Sequence, residues 1–498
     1  MHDLTSGPPL RRILLFALPL LLGNLFQQAY MFIDAAVVGQ MLGTEALAAL
    51  GAANAPVFLV IGFAWGASAG MAIPVAKAFG AGDRLAVRRY ALAGALSSLA
   101  LGVVLTLVGT FFSRHLLTLL QTPPEIIDQS TTYLTVLSIG MMSTIMYQFL
   151  AAILRALGDT RTPLLFLILA SVVNVALIVL FLGVFNWGIA AAAVPISVGQ
   201  AAAVIGCLLY IRAKVPLLRF SRQDFRVDRE AIKETLKQGI PMAMQTSVMA
   251  VGIMVLQVAV NSLGHYAVAA FAAAARIEGF AMMPLMSFGV AVVTFTAQNR
   301  GARQYQRIRT AVLRMSMLAM ALGGVLGLSL ALAARPLARM FVEAGDVAVH
   351  DHVQTFFWIM AAAYVLQGLK FVLRGAFQGL GKPTIPSISM ACETLLRILV
   401  AFVLVGPWGF AGAVLAAPLA WLTAVGIIVP AWLMQRRRLM VWELDDAVRG
   451  EPAQVSQSDQ SSQLAQVSQT AQSSQLAQQA QASQVPAKQS QYVGAGSR

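Results

Sequence analysis

A carboxylate at the end of the first apolar run could bind and release a cation. Asp34 ends this run, and the polar side chains of Asn24, Gln28 and Tyr30 precede it on the same predicted helix. Their helical spacing allows the amides and the carboxylate to share one helix face. A desolvated carboxylate can switch protonation, and its oxygens could instead bind sodium. We predict that Asp34 couples to H+ or Na+ and that no other cofactor is needed, the alternative being a hydrated acid at the membrane surface.

A second set of polar residues lies inside later apolar runs. A charged side chain at mid-membrane depth costs about 2.5–3.5 kcal/mol on insertion scales, so each one requires an explanation. Glu393 and Arg397 are spaced i, i+4 and can meet on one helix face. Their role is either mutual neutralisation or a place in a cavity. Asn174, Glu278 and Lys370 complete the candidates for a substrate cavity.

The composition places these residues in a membrane protein. Of the 498 residues, 58% are hydrophobic and 11% are charged, against about 25% charged in soluble proteins. Lipid must therefore act as the solvent for much of the exterior. The net charge of +14 comes without a basic stripe of interleaved aromatics, so no nucleic-acid partner is expected. We also expect no enzyme, because the five histidines form no evident nucleophile and base pair.

Hydropathy predicts twelve spanning helices in two sets of six. At about 20 residues per span, the apolar runs are 13–38, 47–75, 90–112, 131–154, 163–185, 188–211, 239–262, 267–297, 310–333, 354–377, 384–406 and 409–434. The expected organisation is an amino-terminal six-helix lobe (1–212), an inter-lobe loop (213–237), a carboxy-terminal six-helix lobe (238–436) and a tail (437–498). The tail is rich in Gln, Ser and Ala from about residue 450, which predicts disorder.

The distribution of Lys and Arg predicts the orientation. Basic residues concentrate in one set of loops, including the loop at 213–237, whereas the opposite loops contain only Arg114, Arg335 and Arg339 together with several acids. The positive-inside rule then places both termini in the cytoplasm. We expect a multi-pass monomer in the cell inner membrane.

The two halves of the chain repeat one another. Leu42-Gly43 recurs as Leu263-Gly264 and Gly80-Ala81 as Gly301-Ala302, both at an offset of 264 − 43 = 221. With six spans each, both halves begin on the same side of the membrane, so the repeats are parallel. Two such bundles enclose a central cleft that rocking can open to either side, as in a transporter.

These repeated segments resemble the multidrug and toxic compound extrusion (MATE) family, and most closely its DinF-like branch. The segments are Asp34-(x)4-Gly39-(x)3-Gly43, Ala76-Lys-Ala-Phe-Gly80, Arg155-Ala-Leu-Gly158-Asp159-(x)3-Pro163, Gln298-Asn-Arg-Gly301-Ala302 and Gln378-Gly-Leu-Gly381-Lys-Pro383. The resemblance implies a V-shaped fold of twelve helices and the exchange of cationic or amphipathic small molecules for H+ or Na+. It also implies a coupling role for an acid at the motif position of Asp34.

The sequence departs from the family pattern at one position. Members often have a second acid four residues after an Asn in the fifth span, but here Asn174 is followed by Ile178. This weakens a sodium site more than a proton site. The leading hypothesis is therefore a proton-coupled multidrug efflux antiporter. The alternative is a flippase of a lipid-linked precursor, which would be favoured if Lys370, Arg374 and Arg397 lined one cavity.

Overall fold

The chain folds as an all-α protein in the part that the structure describes. The computed structural model describes residues 3–185, 187–220, 228–340 and 346–448, and no strand occurs within these ranges. The tail predicted to be disordered lies outside the described residues. One short 3-10 turn (Pro216–Leu218) accompanies the helices α1 (Pro9–Met71), α2 (Ile73–Gly80), α3 (Arg84–Leu119), α4 (Pro124–Ile139), α5 (Met141–Ala156), α6 (Arg161–Gly183), α7 (Ala190–Lys214), α8 (Arg229–Asn261), α9 (His265–Gly301), α10 (Tyr305–Ala338), α11 (Val347–Ala361), α12 (Ala363–Gly379) and α13 (Thr384–Val448).

These helices account for twelve membrane crossings. Among the described residues, nine helical stretches are long and apolar enough to span a bilayer, and eleven if the bent pairs α4–α5 and α11–α12 each count as one span. One of the nine is α13, whose 65 residues include the non-helical Gly409. At 1.5 Å per residue, α13 is about three times as long as the hydrocarbon core is thick. It is therefore long enough to cross the membrane twice, with Gly409 between the two spans. The prediction of two six-helix sets is confirmed.

Four of the predicted spans differ in their local form. The first two are not separated by a loop but are joined in α1, which is interrupted at Gly43 with φ of 83°. The spans predicted at 131–154 and 354–377 are each broken, with bends of 48° and 53°. The first bend occurs at Gly140, where an added Cβ would lie 1.7 Å from Ser197 Oγ. A neighbouring helix therefore packs directly against the break.

The internal repeat extends to backbone conformation and to ion pairs. Gly43 and Gly264 have φ of 83° and 90°, and Gly188 and Gly409 have φ of 61° and 52°. Such left-handed values favour glycine, which explains why these residues recur at the same offset. The ion pairs Arg114–Asp128 and Arg335–Asp351 are both 2.8 Å long, and they join α3 to α4 in the first half and α10 to α11 in the second. Each half thus builds the same six-helix unit.

The two halves meet most closely near the ends of α2 and α9. A glycine run in α1 (Gly62, Gly66 and Gly70) packs against α8, because a Cβ at Gly66 or Gly70 would lie 2.5 Å from a carbonyl oxygen of α8. Farther along, a Cβ at Gly80 would lie 1.9 Å from the Gln298 carbonyl oxygen, and one at Gly301 1.9 Å from that of Lys77. Gln298 Nε2 also donates a 2.8 Å hydrogen bond to the Ala156 carbonyl oxygen. Backbones therefore touch across the seam at this end of the bundle.

Candidate functional site

Asp34 lies in α1 beside two tyrosines. Its side chain is half-buried, and Oδ1 is shielded from solvent with no hydrogen-bond partner among the described residues. Tyr30 of α1 and Tyr133 of α4 are its electrostatic neighbours, and Tyr133 is 8% exposed. Sequence reasoning identified Tyr30 but missed Tyr133, because only the packing of α4 on α1 brings the two helices together. A shielded carboxylate oxygen without a partner can accept a proton or a cationic group.

The polar residue on α6 lies in the same half of the chain. Asn174 is 2% exposed, and neither atom of its amide group has a hydrogen-bond partner among the described residues. Ile178, one turn further along, is fully buried in an apolar cluster with Val38 and Tyr133. Ile178, at the position where the resemblance implied a second acid, therefore shares a cluster with the tyrosine that borders Asp34 and provides only hydrocarbon.

Two other polar residues of α1, Asn24 and Gln28, lie on the stretch of the helix between its contact with α9 and Asp34. Asn24 Nδ2 donates a 3.2 Å hydrogen bond to Ser287 Oγ of α9, so this amide joins the two halves of the chain. Gln28 is half-buried one turn further along α1. Beyond it, Phe32 stacks on Phe280 of α9, with ring centroids 6.0 Å apart. One helix therefore contributes both to the Asp34 surroundings and to the seam.

A second cluster of ionisable groups forms between α12 and α13. Lys370 Nζ lies 3.0 Å from both carboxylate oxygens of Glu393, and Arg397 Nη2 lies 2.8 Å from Glu393 Oε1. The i, i+4 pair expected from spacing is present. All three side chains are buried, with 5%, 2% and 6% exposure. Breaking a buried pair by removing one partner typically costs about 3–5 kcal/mol, because the other charge is left uncompensated.

Further side chains surround this triad. Arg374 is an electrostatic neighbour of both Lys370 and Glu393. Half-buried Glu278 of α9 faces the Tyr364 hydroxyl and the charges of Lys370 and Arg397. Trp421 of α13 presents its ring to Lys370 Nζ, 5.2 Å from the centroid. Sequence reasoning missed Tyr364 and Trp421, since neither residue type is unusual in an apolar span.

The arrangement suits binding and charge exchange. The described part of the chain contains no group of three or more His, Cys, Asp or Glu residues placed to hold a metal ion. What it offers is an isolated carboxylate in one half and a triad of charges in the other, both inside helices long enough to cross a membrane.

Comparison with known proteins gives a consistent family relationship. Residues 19–180 and 241–403 match the MatE family model. The probable multidrug resistance protein YpnP of Bacillus subtilis is 32% identical over 380 residues, covering 76% of this chain and 84% of that protein. The FAD transporter of Shewanella oneidensis is 26% identical over 408 residues, covering 80% and 88%. The outward-facing structure of a multidrug resistance MATE family transporter shares the fold, with a TM-score of 0.81, 23% identity and coverage of 88% and 98%.

Proposed function

Because the chain belongs to the multidrug and toxic compound extrusion (MatE) family, we propose that it exports cationic or amphipathic compounds in exchange for protons. Members of this family are multi-pass membrane transporters for small molecules and not enzymes. The choice of a proton as the coupling ion, the placement in the cell inner membrane, the monomeric state and the kinship to the DinF-like branch are parts of the proposal.

The observation that carries the proposal is the state of Asp34. It is a half-buried carboxylate within a spanning helix, and one oxygen has no hydrogen-bond partner among the described residues. Its negative form favours a cationic substrate, and its protonated form does not. Proton and substrate therefore compete for one group. Such competition is sufficient to couple their movements in opposite directions.

The neighbourhood of Asp34 favours a proton over sodium. Sodium prefers several oxygen ligands, whereas Ile178 provides hydrocarbon at the position of the second acid and is fully buried. A proton needs only one carboxylate. Sodium coupling becomes the better assignment if a sodium gradient alone drives transport.

Replacement of Asp34 by Asn is the direct test. Asn cannot be ionised but has nearly the same shape, so we expect proton-driven efflux of ethidium from proteoliposomes to fall to the level without a gradient, at least about tenfold. Asp128→Asn is the matched control, because Asp128 is an exposed acid in the first turns of α4, where it pairs with Arg114 of α3. Separate proton and sodium gradients identify the coupling ion. Wild-type efflux by Asp34→Asn would remove Asp34 from the mechanism.

The positive-inside pattern supports cytoplasmic termini. Under this orientation, the close contacts of Gly80 and Gly301 lie on the cytoplasmic side of the seam. These contacts hold the two halves together at the end of the bundle that this orientation assigns to the cytoplasm.

A specific observation bears on the alternative, a flippase of a lipid-linked precursor. Lys370, Arg374 and Arg397 do gather in one cluster, as a flippase would require. Glu393 binds two of these cations directly, however, and Glu278 adds a second acid. Three positive and two negative side chains leave a formal surplus of one positive charge. A pyrophosphate carries at least two negative charges, so the cluster supports the antiporter better than the flippase.

A further inference from the structure

The segment that precedes α1 is buried at the end of the bundle where the two halves touch. This segment, residues 3–8, is called the strap here. The Leu4 side chain is fully buried in an apolar cluster that includes Phe295 of α9 and Ile308 of α10. The two residues that follow Leu4 are buried as well. A segment attached to the first half of the chain is therefore seated in the second half.

Side chains of α9 and α10 hold the backbone of the strap. The Leu4 N–H donates a 3.1 Å hydrogen bond to Gln298 Oε1, and the Leu4 carbonyl oxygen accepts one of 3.1 Å from Asn299 Nδ2. Arg307 Nη2 donates to the carbonyl oxygens of Leu4 and Ser6, at 3.2 and 2.9 Å. Buried backbone groups require such partners. These side chains therefore replace water around the strap.

Gln298 connects the strap to the contact between the halves. Its Oε1 binds the strap, while its Nε2 donates a 2.8 Å hydrogen bond to the Ala156 carbonyl oxygen of α5. Its backbone carbonyl oxygen is the atom that a Cβ at Gly80 would meet. Separation of the halves at this end would therefore pull one side chain away from α5 and from a strap that is attached to α1.

The strap is a turn with a sharp bend between it and α1. Gly7 has φ of 69°, a left-handed value that favours glycine, and α1 begins at Pro9 after the extended Pro8. Neither proline has the N–H that would continue α1 backwards. Asp3 Oδ1 accepts hydrogen bonds from the Thr5 N–H and hydroxyl, at 2.8 and 2.5 Å, which holds the turn together. The strap can therefore engage and leave as a unit.

We propose that the strap is a latch, which holds the two halves in contact at this end and has to disengage before they separate there. The amides that bind it belong to the second half, because Lys77 and Ala78 occupy the equivalent positions 221 residues earlier. Its anchor is one leucine with a few hydrogen bonds, so its release requires no unfolding of a spanning helix. With this end in the cytoplasm, which rests on the proposed function, the latch controls access from that side.

The accessibility of a thiol at the seam measures opening at this end. Ala297 is fully buried in a cluster with residues of α2 and α5. Ala297→Cys is made in a protein whose Cys207 and Cys392 are replaced by Ser, and its reaction rate with N-ethylmaleimide in proteoliposomes follows the fraction of open molecules. We expect Leu4→Ala to raise this rate at least about tenfold, because truncation of a fully buried leucine removes packing that favours the latched state.

Controls distinguish a latch from general loosening of the protein. Leu15→Ala makes the same change in a side chain that is 56% exposed, and Leu4→Met conserves volume, so both should keep the wild-type rate. A second thiol, from Ala191→Cys, reports on a fully buried site beside the α6–α7 connection at the other end. Its rate should not change in Leu4→Ala. A rise at both thiols would overturn the latch.

A double-mutant cycle tests whether Arg307 acts through the strap. Arg307→Met removes the donor to the strap carbonyl oxygens and should raise the rate at Ala297→Cys. In Leu4→Ala the strap is already released, so the same change should add little. Independent effects of the two changes, or an unchanged rate in Leu4→Ala, would overturn the proposal. The readout needs no transported substrate, so loss of the export function and loss of the latch are distinguishable.

Discussion

At the scale of single residues, Asp228 illustrates how the polar loops stabilise the apolar helices. Its carboxylate accepts a 3.1 Å hydrogen bond from the backbone N–H of Ala231 at the start of α8 and forms an ion pair with Arg89 of α3. The hydrogen bond from Arg89, with that from Ala231, holds the pKa of the Asp228 carboxyl below its usual value of 3.8. The ionised carboxylate therefore links the first half of the chain to the first helix of the second half.

The lowered pKa predicts a specific pH dependence. A group whose pKa is depressed on folding stabilises the protein above its unfolded-state pKa, and this stabilisation is lost as the pH falls through the folded-state value. We expect Asp228→Asn to lower the melting temperature in detergent at pH 7, with the difference from wild type disappearing only below pH 3.8. Asn retains a capping oxygen, so Asp228→Ala should lower the melting temperature further. A difference that is equally large at pH 7 and pH 3 would contradict a charge-dependent role.

At the scale of helices, backbone contact across the seam depends on glycine. A Cβ at Gly80 would lie 1.9 Å from the Gln298 carbonyl oxygen and 2.6 Å from its Cα, so backbone and not a flexible side chain would have to move. Gly301 occupies the equivalent position and meets the Lys77 carbonyl oxygen. The two glycines thus form a reciprocal contact between α2 and α9, which close helix packing in membranes permits only for small residues.

Gly80→Ala should therefore weaken this packing. Overpacking of a tight contact typically costs about 1–3 kcal/mol, and we expect a lower melting temperature in detergent. Gly426→Ala is the matched control, because a Cβ at this position of α13 would have no atom within 4 Å. Ala favours helix over Gly by roughly 0.5–1 kcal/mol, so this control should be neutral or slightly stabilising. Equal loss of stability in both variants would show that the seam contact is unimportant.

At the scale of the whole molecule, the loops of the two ends differ in charge. Basic residues such as those of 300–309 lie at one end, and the ion pairs Arg114–Asp128 and Arg335–Asp351, beside the α3–α4 and α10–α11 connections, lie at the other. We expect a cysteine at Gln306 to react with an impermeant maleimide only in inside-out vesicles, and one at Leu119 only in right-side-out vesicles. Leu119 is 78% exposed, so access does not limit its labelling. Cys207 and Cys392 are first replaced by Ser, and the reversed pattern would refute cytoplasmic termini.

The sequence by itself determined the all-α class, the twelve spans, the repeat and the family. Hydropathy and the positions of glycines that need a left-handed backbone are local properties of the chain, so they can be recognised without knowing how the helices pack. Gly43 and Gly264 could be matched by register alone, and their backbones do adopt the same conformation. Spacing also predicted the Glu393–Arg397 pair within one helix. The broken spans could not be predicted in the same way, since Ser197, which packs against the bend at Gly140, lies on another helix.

Only the tertiary structure decided which buried polar groups meet. Lys370 and Glu393 are 23 residues apart on different helices, and Asn24 and Ser287 are 263 residues apart. Asp34 could be identified from its place in an apolar run, but its neighbour Tyr133 could not. The physical reason is that burying an ionisable group in a spanning helix costs free energy wherever the group lies, and an apolar run in the sequence reveals such a group. The partner that offsets this cost lies on another helix, so only the packing of the helices decides which residue it is.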